Sequence, residues 1–453
     1  MPWYAIFSHP STAFFIPKIK PKYFPFLFAY CVTCSAYAQR DEKYEAQDIR
    51  YPLVISFLFM GNHTTRENIL LQEISIQSGD LATPDNLELI KQQVLDLGLF
   101  RSVRVTTSPD IANIGVDVII SVKEKWYILP VPLIGFSQDQ ETSYGFSLDW
   151  DNFRGLNQTL ELKFKREEQS EDEKGTEEEY EFKFAYPLIA GSPWDFSFEL
   201  SRKITPIDDD DEPLPSYEEQ KDEVTFMLTR RFGQNFSASN GWKAGAGLLW
   251  NNTLYDANEP IDEPGNTIAM QSSIDYRNIH YKVYSERGLA YGFKWQNSLP
   301  GFHWDYDYSK YEIYFRRFID LGRRPHETLH FYADLGSYHG GPPYEDAFGL
   351  GGGGNLRGYD KNDFEGDAYY RFSIEYLVPP TLNTRSLRLI ALMDAGDIFS
   401  DLDDFDPLSP KVNVGFAVRW RIKWLVDTQL DLGFAVPIEG DNIRLIARSS
   451  DLF

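Results

Sequence analysis

The sequence predicts a mainly β protein, a sixteen-stranded antiparallel transmembrane β-barrel preceded by one small α/β domain. Three observations predict this fold. After Trp126 the chain alternates apolar and polar residues with a period of two, as strands with one lipid face and one lumen face do. The connections between these runs are alternately short and long, which is typical of periplasmic turns and outer loops. Before Trp126 two segments show helical periodicity between short apolar runs.

The N-terminus has the pattern of a secretory signal peptide. Three lysines precede the apolar run 23–30, and Ala36-Tyr-Ala38 supplies the small residues of a cleavage site. We therefore expect a signal peptide over residues 1–38 and a linker over 39–49. The alternative is a single membrane anchor, but a spanning helix needs about 20 apolar residues, and Pro25 interrupts this shorter run.

Composition and motifs narrow the class of function. The formal net charge is −24, and such acidity repels the phosphates of nucleic acid. Both cysteines, Cys31 and Cys34, lie in the predicted signal peptide, so the mature chain has no disulfide or cysteine–metal site. The seven histidines show no ligand spacing, and no G-x-S-x-G, H-E-x-x-H or phosphate loop is present. We expect no enzyme, metal or cofactor; a concealed carboxylate or Ser–His site in the lumen is the alternative.

Residues 50–126 form the small α/β domain of this prediction. An apolar run over 53–59 predicts its first strand. Thr65 is placed to cap a first helix, and Asp85 to cap a second, with Glu88 completing a capping box. Two further apolar runs predict the remaining strands, which makes the order β-α-α-β-β.

This domain resembles the POTRA family of periplasmic modules. The resemblance rests on a Gly-Asn pair, a further glycine and a Gly-x-Phe-x-x-Val joint between elements: Gly61, Asn62, Gly79, Gly98, Phe100 and Val103. It implies a module that binds extended polypeptides by adding them as a strand to its exposed sheet edge, whose unpaired groups template such a segment. The alternative is a domain that serves only as a periplasmic plug or spacer.

Residues 127–453 are predicted to form the barrel. The alternating runs accommodate sixteen strands between about Val131 and Phe453, and an even number returns both ends to the periplasm. The terminal Phe453 resembles the insertion signal of bacterial outer-membrane proteins.

A glycine-rich loop near the end of the barrel carries the strongest motif. Its residues are Gly351, Gly352, Gly353, Gly354, Arg357, Gly358 and Tyr359. Strand phase places Asp394 and Glu375 on the lumen face, where a guanidinium could pair with them. We therefore expect Arg357 to bind Asp394, with Glu375 as a second acceptor. Two alternatives are a nucleotide-binding G-x-G-x-x-G loop, which lacks its βαβ unit, and an exposed tip with a solvated arginine.

The arrangement of one POTRA domain and sixteen strands resembles the BamA/TamA family, also called the bacterial surface antigen family. The motif Arg357-Gly-Tyr falls in the predicted sixth outer loop, and Asp394 with Gly396 matches the family's Asp-x-Gly strand. The resemblance implies an outer-membrane protein with its POTRA domain in the periplasm. Its expected partners are the lipid bilayer, unfolded or extended client polypeptides, and periplasmic chaperones or partner subunits.

The function that this resemblance implies is insertion or translocation of polypeptides. The first and last strands would form a seam that acts as a lateral gate, and the sixth loop would act as an internal latch. The alternative is a passive surface barrel or channel, or a lipid-transfer protein, that does not handle clients.

Overall fold

The computed structural model describes residues 51–450 apart from a set of gaps. The gaps are residues 113, 137–141, 169–175, 208–216, 234–235, 257–264, 300–306, 341–347, 353, 361, 382, 401–408, 427–428 and 441–442. The predicted signal peptide and linker, Gly353 and Phe453 lie outside the described residues.

The N-terminal part is an α/β domain of three strands and two helices. Its elements are β1 (Val54–Met60), α1 (Glu67–Glu73), α2 (Pro84–Asp96), β2 (Phe100–Pro109) and β3 (Val116–Glu124). The sheet has the order β1-β3-β2, with β1 parallel and β2 antiparallel to the central β3. The predicted order β-α-α-β-β is confirmed.

Both predicted helix caps are wrong in detail. The residue before α1 is Arg66, which makes no side-chain cap, while Thr65 is buried one position earlier. Helix α2 is capped by Thr83, whose Oγ1 accepts from the N–H of Asn86 at 3.1 Å. Pro84 occupies the first turn, where its fixed φ suits a helix start, so the helix begins before Asp85.

The core of this domain lies between the two helices and the sheet. Its fully buried residues include Val54, Leu70, Ile90, Val94, Val118 and Ile120. The motif residues Phe100 and Val103 belong to the same core. Gly61 has a φ of +87°, and a Cβ there would lie 2.2 Å from the carbonyl oxygen of Val122. The first joint of the motif therefore requires glycine.

The second part is one antiparallel sheet in which, within the described residues, sixteen strands pair in sequence order. These strands are β4 (Ile128–Phe136), β5 (Thr142–Phe153), β6 (Gln158–Glu168), β7 (Thr176–Tyr186), β8 (Trp194–Ile207), β9 (Tyr217–Phe232), β10 (Gly241–Asp256), β11 (Gly265–Tyr281), β12 (Glu286–Ser298), β13 (Tyr308–Asp320), β14 (Thr328–Gly340), β17 (Ala368–Val378), β18 (Leu387–Phe399), β19 (Lys411–Arg421), β20 (Gln429–Pro437) and β21 (Arg444–Ser450). The loop between β14 and β17 contains a small hairpin, β15 (Phe348–Leu350) and β16 (Phe364–Gly366). A 3₁₀ turn, Ile189–Gly191, follows β7.

Side chains alternate between an apolar outer face and a polar inner face. In β19 the outer positions Val414, Phe416 and Trp420 are exposed, whereas Arg419 and Arg421 are buried inside. This is the alternation expected of a wall with lipid outside and a polar lumen inside. Among the described residues, no helix has the length and apolarity required to span a membrane.

The height of the wall varies around the sheet. Strands β9, β10 and β11 have 16, 16 and 17 residues, whereas β4, β20 and β21 have 9, 9 and 7. Strands β4 and β21 are the two ends of the sheet, and no ladder joins them within the described residues. We call the junction between β4 and β21 the seam. Among the described residues, these three strands at and next to the seam are the shortest of the sheet, and the strands on the opposite side are the longest.

Candidate functional site

The glycine-rich loop folds back into a compact turn between β15 and β16. The N–H of Gly351 donates to Oδ1 of Asn355 at 2.7 Å, and the N–H of Gly352 donates to the carbonyl of Tyr359 at 3.0 Å. Leu356 is fully buried, and Arg357 is 6% exposed. The turn therefore places the arginine among wall residues instead of in solvent.

Arg357 is held by three side chains of the barrel wall. Its Nε donates to Oδ2 of Asp394 at 2.9 Å, and its Nη2 donates to Oδ1 of the same carboxylate at 2.6 Å. Its Nη1 donates to Oε1 of Glu375, and Nη2 also donates to Oγ of Ser373 at 2.8 Å. The geometry is the two-pronged fork that a guanidinium makes with a carboxylate.

The aspartate has partners of its own that hold its orientation. The hydroxyl of Ser373 donates to Oδ1 of Asp394 at 2.6 Å. The side-chain amide of Asn413 donates to Oδ2 at 2.9 Å. Asp394 therefore receives hydrogen bonds from the loop, from β17 and from β19, and it is fully buried.

The residues after Arg357 fit closely against the wall. A Cβ on Gly358 would lie 2.5 Å from Cβ of Asn413, so only glycine permits this approach. The hydroxyl of Tyr359 donates to the carbonyl of Val412 at 3.4 Å. The carbonyl of Gly354 accepts from Nη1 of Arg371 at 2.7 Å.

Gly396 was predicted as part of the wall motif that holds Arg357, but its contacts in the structure are with the neighbouring strand β17. It does not touch Arg357 through any described contact. A Cβ at this position would lie 2.5 Å from the carbonyl oxygen of Tyr370, so Gly396 allows close packing of β18 on β17.

A second arginine extends the charged contacts away from the loop. Nη2 of Arg419 donates to Oε2 of Glu375 at 3.2 Å and to Oδ2 of Asp431 at 2.7 Å. Two more arginines pair with Glu286. Nη2 of Arg421 lies 2.9 Å from Oε2 of Glu286, and Nη2 of Arg388 lies 3.7 Å from the same oxygen. These ion pairs link the loop to the lumen face of strands β12 to β20.

The cluster is balanced in formal charge. Four guanidinium groups face four carboxylates, all buried: Arg357, Arg388, Arg419, Arg421, Glu286, Glu375, Asp394 and Asp431. Removing an ion from water is unfavourable unless it is paired and hydrogen-bonded. The balance therefore explains how so many ions are tolerated inside the wall.

The loop also reaches the last strand. The guanidinium of Arg444, in β21, donates to the carboxylate of Asp360. Arg444 shares its inward phase with the buried Ile446, while Leu445 between them is exposed. One loop therefore contacts strands β17, β18, β19 and β21, and the last of these borders the seam.

The α/β domain packs against the turns at one end of the barrel through two buried carboxylates. Glu73, at the end of α1, accepts from the N–H of Ala238 at 2.7 Å and from the hydroxyl of Ser237 at 2.5 Å. The hydroxyl of Ser239 donates to it as well. Burial raises the pKa of the Glu73 carboxyl, and these hydrogen bonds partly oppose the rise.

Asp96, at the end of α2, makes the second contact. It accepts from the N–H of Tyr281 at 2.9 Å and from the side-chain amide of Asn240 at 3.2 Å. Nδ1 of His280 lies 2.7 Å from its Oδ2. Both carboxylates thus bind backbone or side-chain groups of the turn after β9 or of the end of β11.

Three further hydrogen bonds attach the domain and its linker to the barrel. The side-chain amide of Asn152 donates to Oγ1 of Thr65 at 2.8 Å, and the N–H of Arg66 donates to the carbonyl of Gly155 at 3.0 Å. The N–H of Trp126 donates to the carbonyl of Trp424 at 2.7 Å. The domain is therefore attached to turns on several sides of the barrel mouth.

A polar cavity lies between this domain and the lumen. Its volume is about 730 Å³, and residues Asp96, Leu97 and Gly98 of the α/β domain form part of its lining. Residues of β5 to β11 form most of the rest, among them Lys183, Glu199, Glu223, Arg231 and Lys243. The lumen face of these strands therefore borders a cavity that the α/β domain helps to line.

Two family models match the sequence. The Omp85 superfamily domain matches residues 152–441, which is more than half of the chain. The chain belongs to the Omp85 superfamily. The POTRA model, described as the surface antigen variable number repeat, matches residues 53–125 of this Omp85 protein.

Two solved structures share the fold of this Omp85 protein. The crystal structure of BamA from Haemophilus ducreyi lacking POTRA domains 1–3 is 17% identical, with a TM-score of 0.51 over 88% of this chain and 84% of that one. CdiB from Acinetobacter baumannii is 13% identical, with a TM-score of 0.56 over 86% of this chain and 71% of that one. A comparison of the sequence with curated proteins gives no significant match.

Family membership establishes the broad role. The protein is an Omp85 transport or insertion barrel of the outer membrane, with its POTRA domain in the periplasm. Omp85 transport barrels are not enzymes. The resemblance predicted from the sequence, to one POTRA domain and an outer-membrane barrel of this family, is confirmed.

Several residues of the site were not predicted from the sequence. Ser373 and Asn413 complete the shell around Asp394, and Asp360 links the loop to Arg444. Strand phase places Ser373 on the lumen face without giving it a role, and it could have found Asn413 in the same way, because both residues lie opposite Asp394 in the register. Glu73 and Asp96 left no signal, because their partners are backbone and side-chain groups far away in the sequence.

Proposed function

We propose that this Omp85 protein inserts or translocates extended polypeptides at the seam between β4 and β21. The observation that supports it most is the end of the sheet at these two short strands, with no ladder between them in the described residues. A spanning strand needs about 9–11 residues, and β21 has 7 within the part of the chain that the structure describes. An incompletely paired, low wall is the place where an incoming strand can find unpaired backbone groups.

We place the binding of an unfolded client at the outer edge of β2 in the POTRA domain. The other edge strand of this sheet, β1, already has backbone partners at its first residue. The N–H of Val54 donates to the carbonyl of Asp80, and the N–H of Gly79 donates to the carbonyl of Val54. The described residues place no backbone partner on the outer edge of β2. The side chains of Arg101 and Arg104 on this strand are exposed. A client strand can therefore approach β2 and add to its edge.

In this proposal the sixth loop is an internal latch. Arg357 pairs with Asp394 and Glu375 on the wall, and Asp360 pairs with Arg444 of the last strand. Gly351 and Gly352, both with positive φ, and Gly358 give the described part of the loop its tight path, and Tyr359 bonds to the wall at Val412. The latch supports the shape of the half of the barrel next to the seam while β4 on the other side is free to move.

The driving force is the client's own folding. A strand that enters the bilayer must satisfy its backbone groups by pairing, and it gains from burying its apolar face. The protein then lowers the barrier by presenting an unpaired edge beside a thin wall, with no cofactor. Periplasmic chaperones or partner subunits would deliver the client to the POTRA domain.

Folding of a client into vesicles tests this proposal. An outer-membrane barrel polypeptide, unfolded in urea, is diluted into vesicles that contain the full-length protein, and its folded fraction is followed by gel mobility. We expect faster folding than in empty vesicles. A photo-crosslinker in place of exposed Arg104 should trap the client, whereas one in place of Glu88 on α2 should not.

Equal folding rates with and without the protein, together with no client trapped at either position, would overturn the proposal. That outcome would favour the alternative of a passive barrel or a lipid-transfer protein. Lipid transfer between labelled vesicles, measured with the same preparation, separates these two alternatives.

A further inference from the structure

The free edge of β4 carries an unusual donor pattern. Its sequence contains two prolines at alternate positions, Pro130 and Pro132. Proline has no N–H, so within sheets it is confined to edges where no ladder bond is needed from it. Both residues lie inside a strand that is fully paired to β5 on its other side.

Strand geometry shows which edge lacks the donors. Backbone groups of alternate residues point to the same edge of a strand. The N–H of Asp151 donates to the carbonyl of Tyr127 at 2.8 Å, so the odd residues face β5. The N–H of Trp126 donates to the carbonyl of Trp424 in the turn between β19 and β20, so the even residues face the seam.

The seam edge of β4 therefore has a gap in its donors. Ile128, Ile134 and Phe136 present N–H groups to the seam, and Pro130 and Pro132 present only carbonyls. At about 3.3 Å per residue, the gap between the N–H groups of Ile128 and Ile134 spans roughly 20 Å. Because the linker from the POTRA domain enters at Trp126, this gap occupies the periplasmic half of the strand.

A partner strand cannot complete a ladder across this gap. It can donate to the carbonyls of Pro130 and Pro132, but its own carbonyls opposite them find no donor. An unsatisfied backbone carbonyl in a bilayer is strongly unfavourable. The same restriction applies to β21 and to any incoming polypeptide.

We propose that an extended client strand pairs with β4 only along its outer half, at Ile134 and Phe136, and that the two prolines keep the periplasmic half of the seam unzipped. This inference rests on the proposed function and assigns the surface on β4 where a client strand binds. The periplasmic half then remains an opening through which the rest of the client passes.

The test restores the missing donors with the double variant P130A/P132A in the full-length protein. The control is P206A in β8, which makes the same chemical change in a strand far from the seam. Hydrogen exchange of the peptide covering residues 127–136, measured by mass spectrometry in lipid nanodiscs, reports pairing at the seam. Client folding into vesicles is measured in parallel.

A net backbone hydrogen bond shifts an equilibrium about fivefold, so two restored donors should slow exchange of this peptide by roughly twenty- to thirtyfold. P206A should leave its exchange unchanged, and client folding should slow only in the double variant. Unchanged exchange in P130A/P132A would overturn the inference. Slower exchange with undiminished client folding would keep the proline assignment and overturn the proposed function instead.

Discussion

Arg357 of the sixth loop and Asp394 of β18 form a two-pronged ion pair, with Nε and Nη2 at 2.9 and 2.6 Å from the two carboxylate oxygens. Both residues are buried. The pair joins a loop to a wall strand 37 residues further along the chain. Its energetic role determines how firmly the loop is held in the lumen.

Substitution of Arg357 by alanine should destabilise the folded barrel markedly. It leaves Asp394 and Glu375 buried without a counter-ion, and breaking a buried pair in this way costs about 3–5 kcal/mol. Urea unfolding in detergent micelles, followed by gel mobility, measures the change. Arg357→Lys should lose much of the same stability, since an ammonium cannot make the fork.

Arg202 offers a matched control. It makes a similar fork with Asp222 between β8 and β9, but its side chain is half exposed. Exposed pairs contribute about 0–1 kcal/mol, so Arg202→Ala should change stability little. Equal losses in the two variants would contradict an internal anchoring role for Arg357.

Gly358→Ala should displace the loop from the wall. The added Cβ would lie 2.5 Å from Cβ of Asn413, in a place where neither backbone can easily retreat. Overpacking of this kind costs typically about 1–3 kcal/mol. Gly354→Ala is the control, because nothing lies within 4 Å of a Cβ there. Unfolding in urea should separate the two variants, and identical curves would count against close packing of the motif on β19.

The ion pair between Asp360 and Arg444 should couple the loop to the last strand. Reversal of either charge alone should lower stability, and the swap D360R/R444D should restore part of it. Asp360 is nearly half exposed, so we expect a coupling energy of only about 0.5–1 kcal/mol from a double-mutant cycle. A coupling energy of zero would contradict the proposal that Arg444 helps to hold the sixth loop.

Docking of the POTRA domain should weaken as pH rises. The pKa of Glu73 is raised by burial in the docked state, so that state binds a proton more readily than the undocked one. Its favourable contribution is full below about pH 4.5 and is lost as pH rises through the docked-state pKa. Glu73→Gln should remove this dependence, whereas Glu88→Gln, exposed on α2, should retain it.

Spin labels at Asn68 and Arg154 can measure this docking, because the only two cysteines of the chain lie in the predicted signal peptide. In the wild type, the distance distribution between the labels should broaden as pH rises from about 4.5. A distribution that does not respond to pH would contradict a role for the Glu73 carboxyl in docking.

Much of the fold follows from local pattern in the sequence. Alternation of period two gives sixteen strands in the right order, because each strand of a membrane barrel must present one apolar face. The same phase rule places Asp394 and Glu375 in one lumen, where a loop that folds inward brings Arg357. The first strand begins at Ile128, earlier than the predicted Val131, since proline at an unpaired edge does not interrupt a strand.

Contacts between distant segments follow from tertiary geometry and left no local signal. Glu73 and Asp96 look like ordinary acidic residues at helix ends, yet they bind turns far along the chain. Thr65 resembles a helix cap but bonds to Asn152 at the end of β5. By contrast, Pro130 and Pro132 carried a readable signal, because two prolines in one strand indicate a free edge.

The central claim, that clients enter the bilayer at the seam, is tested most directly by crosslinking during folding. A photo-reactive phenylalanine analogue replaces Ile128 in β4 or, as the control, Phe226 on the opposite wall; both residues are exposed on the outer face. Vesicles containing either variant receive a urea-unfolded barrel polypeptide and are irradiated while it folds. We predict client adducts at residue 128 and none at residue 226. Accelerated client folding with no adduct at residue 128, or with equal adducts at both positions, would contradict the claim.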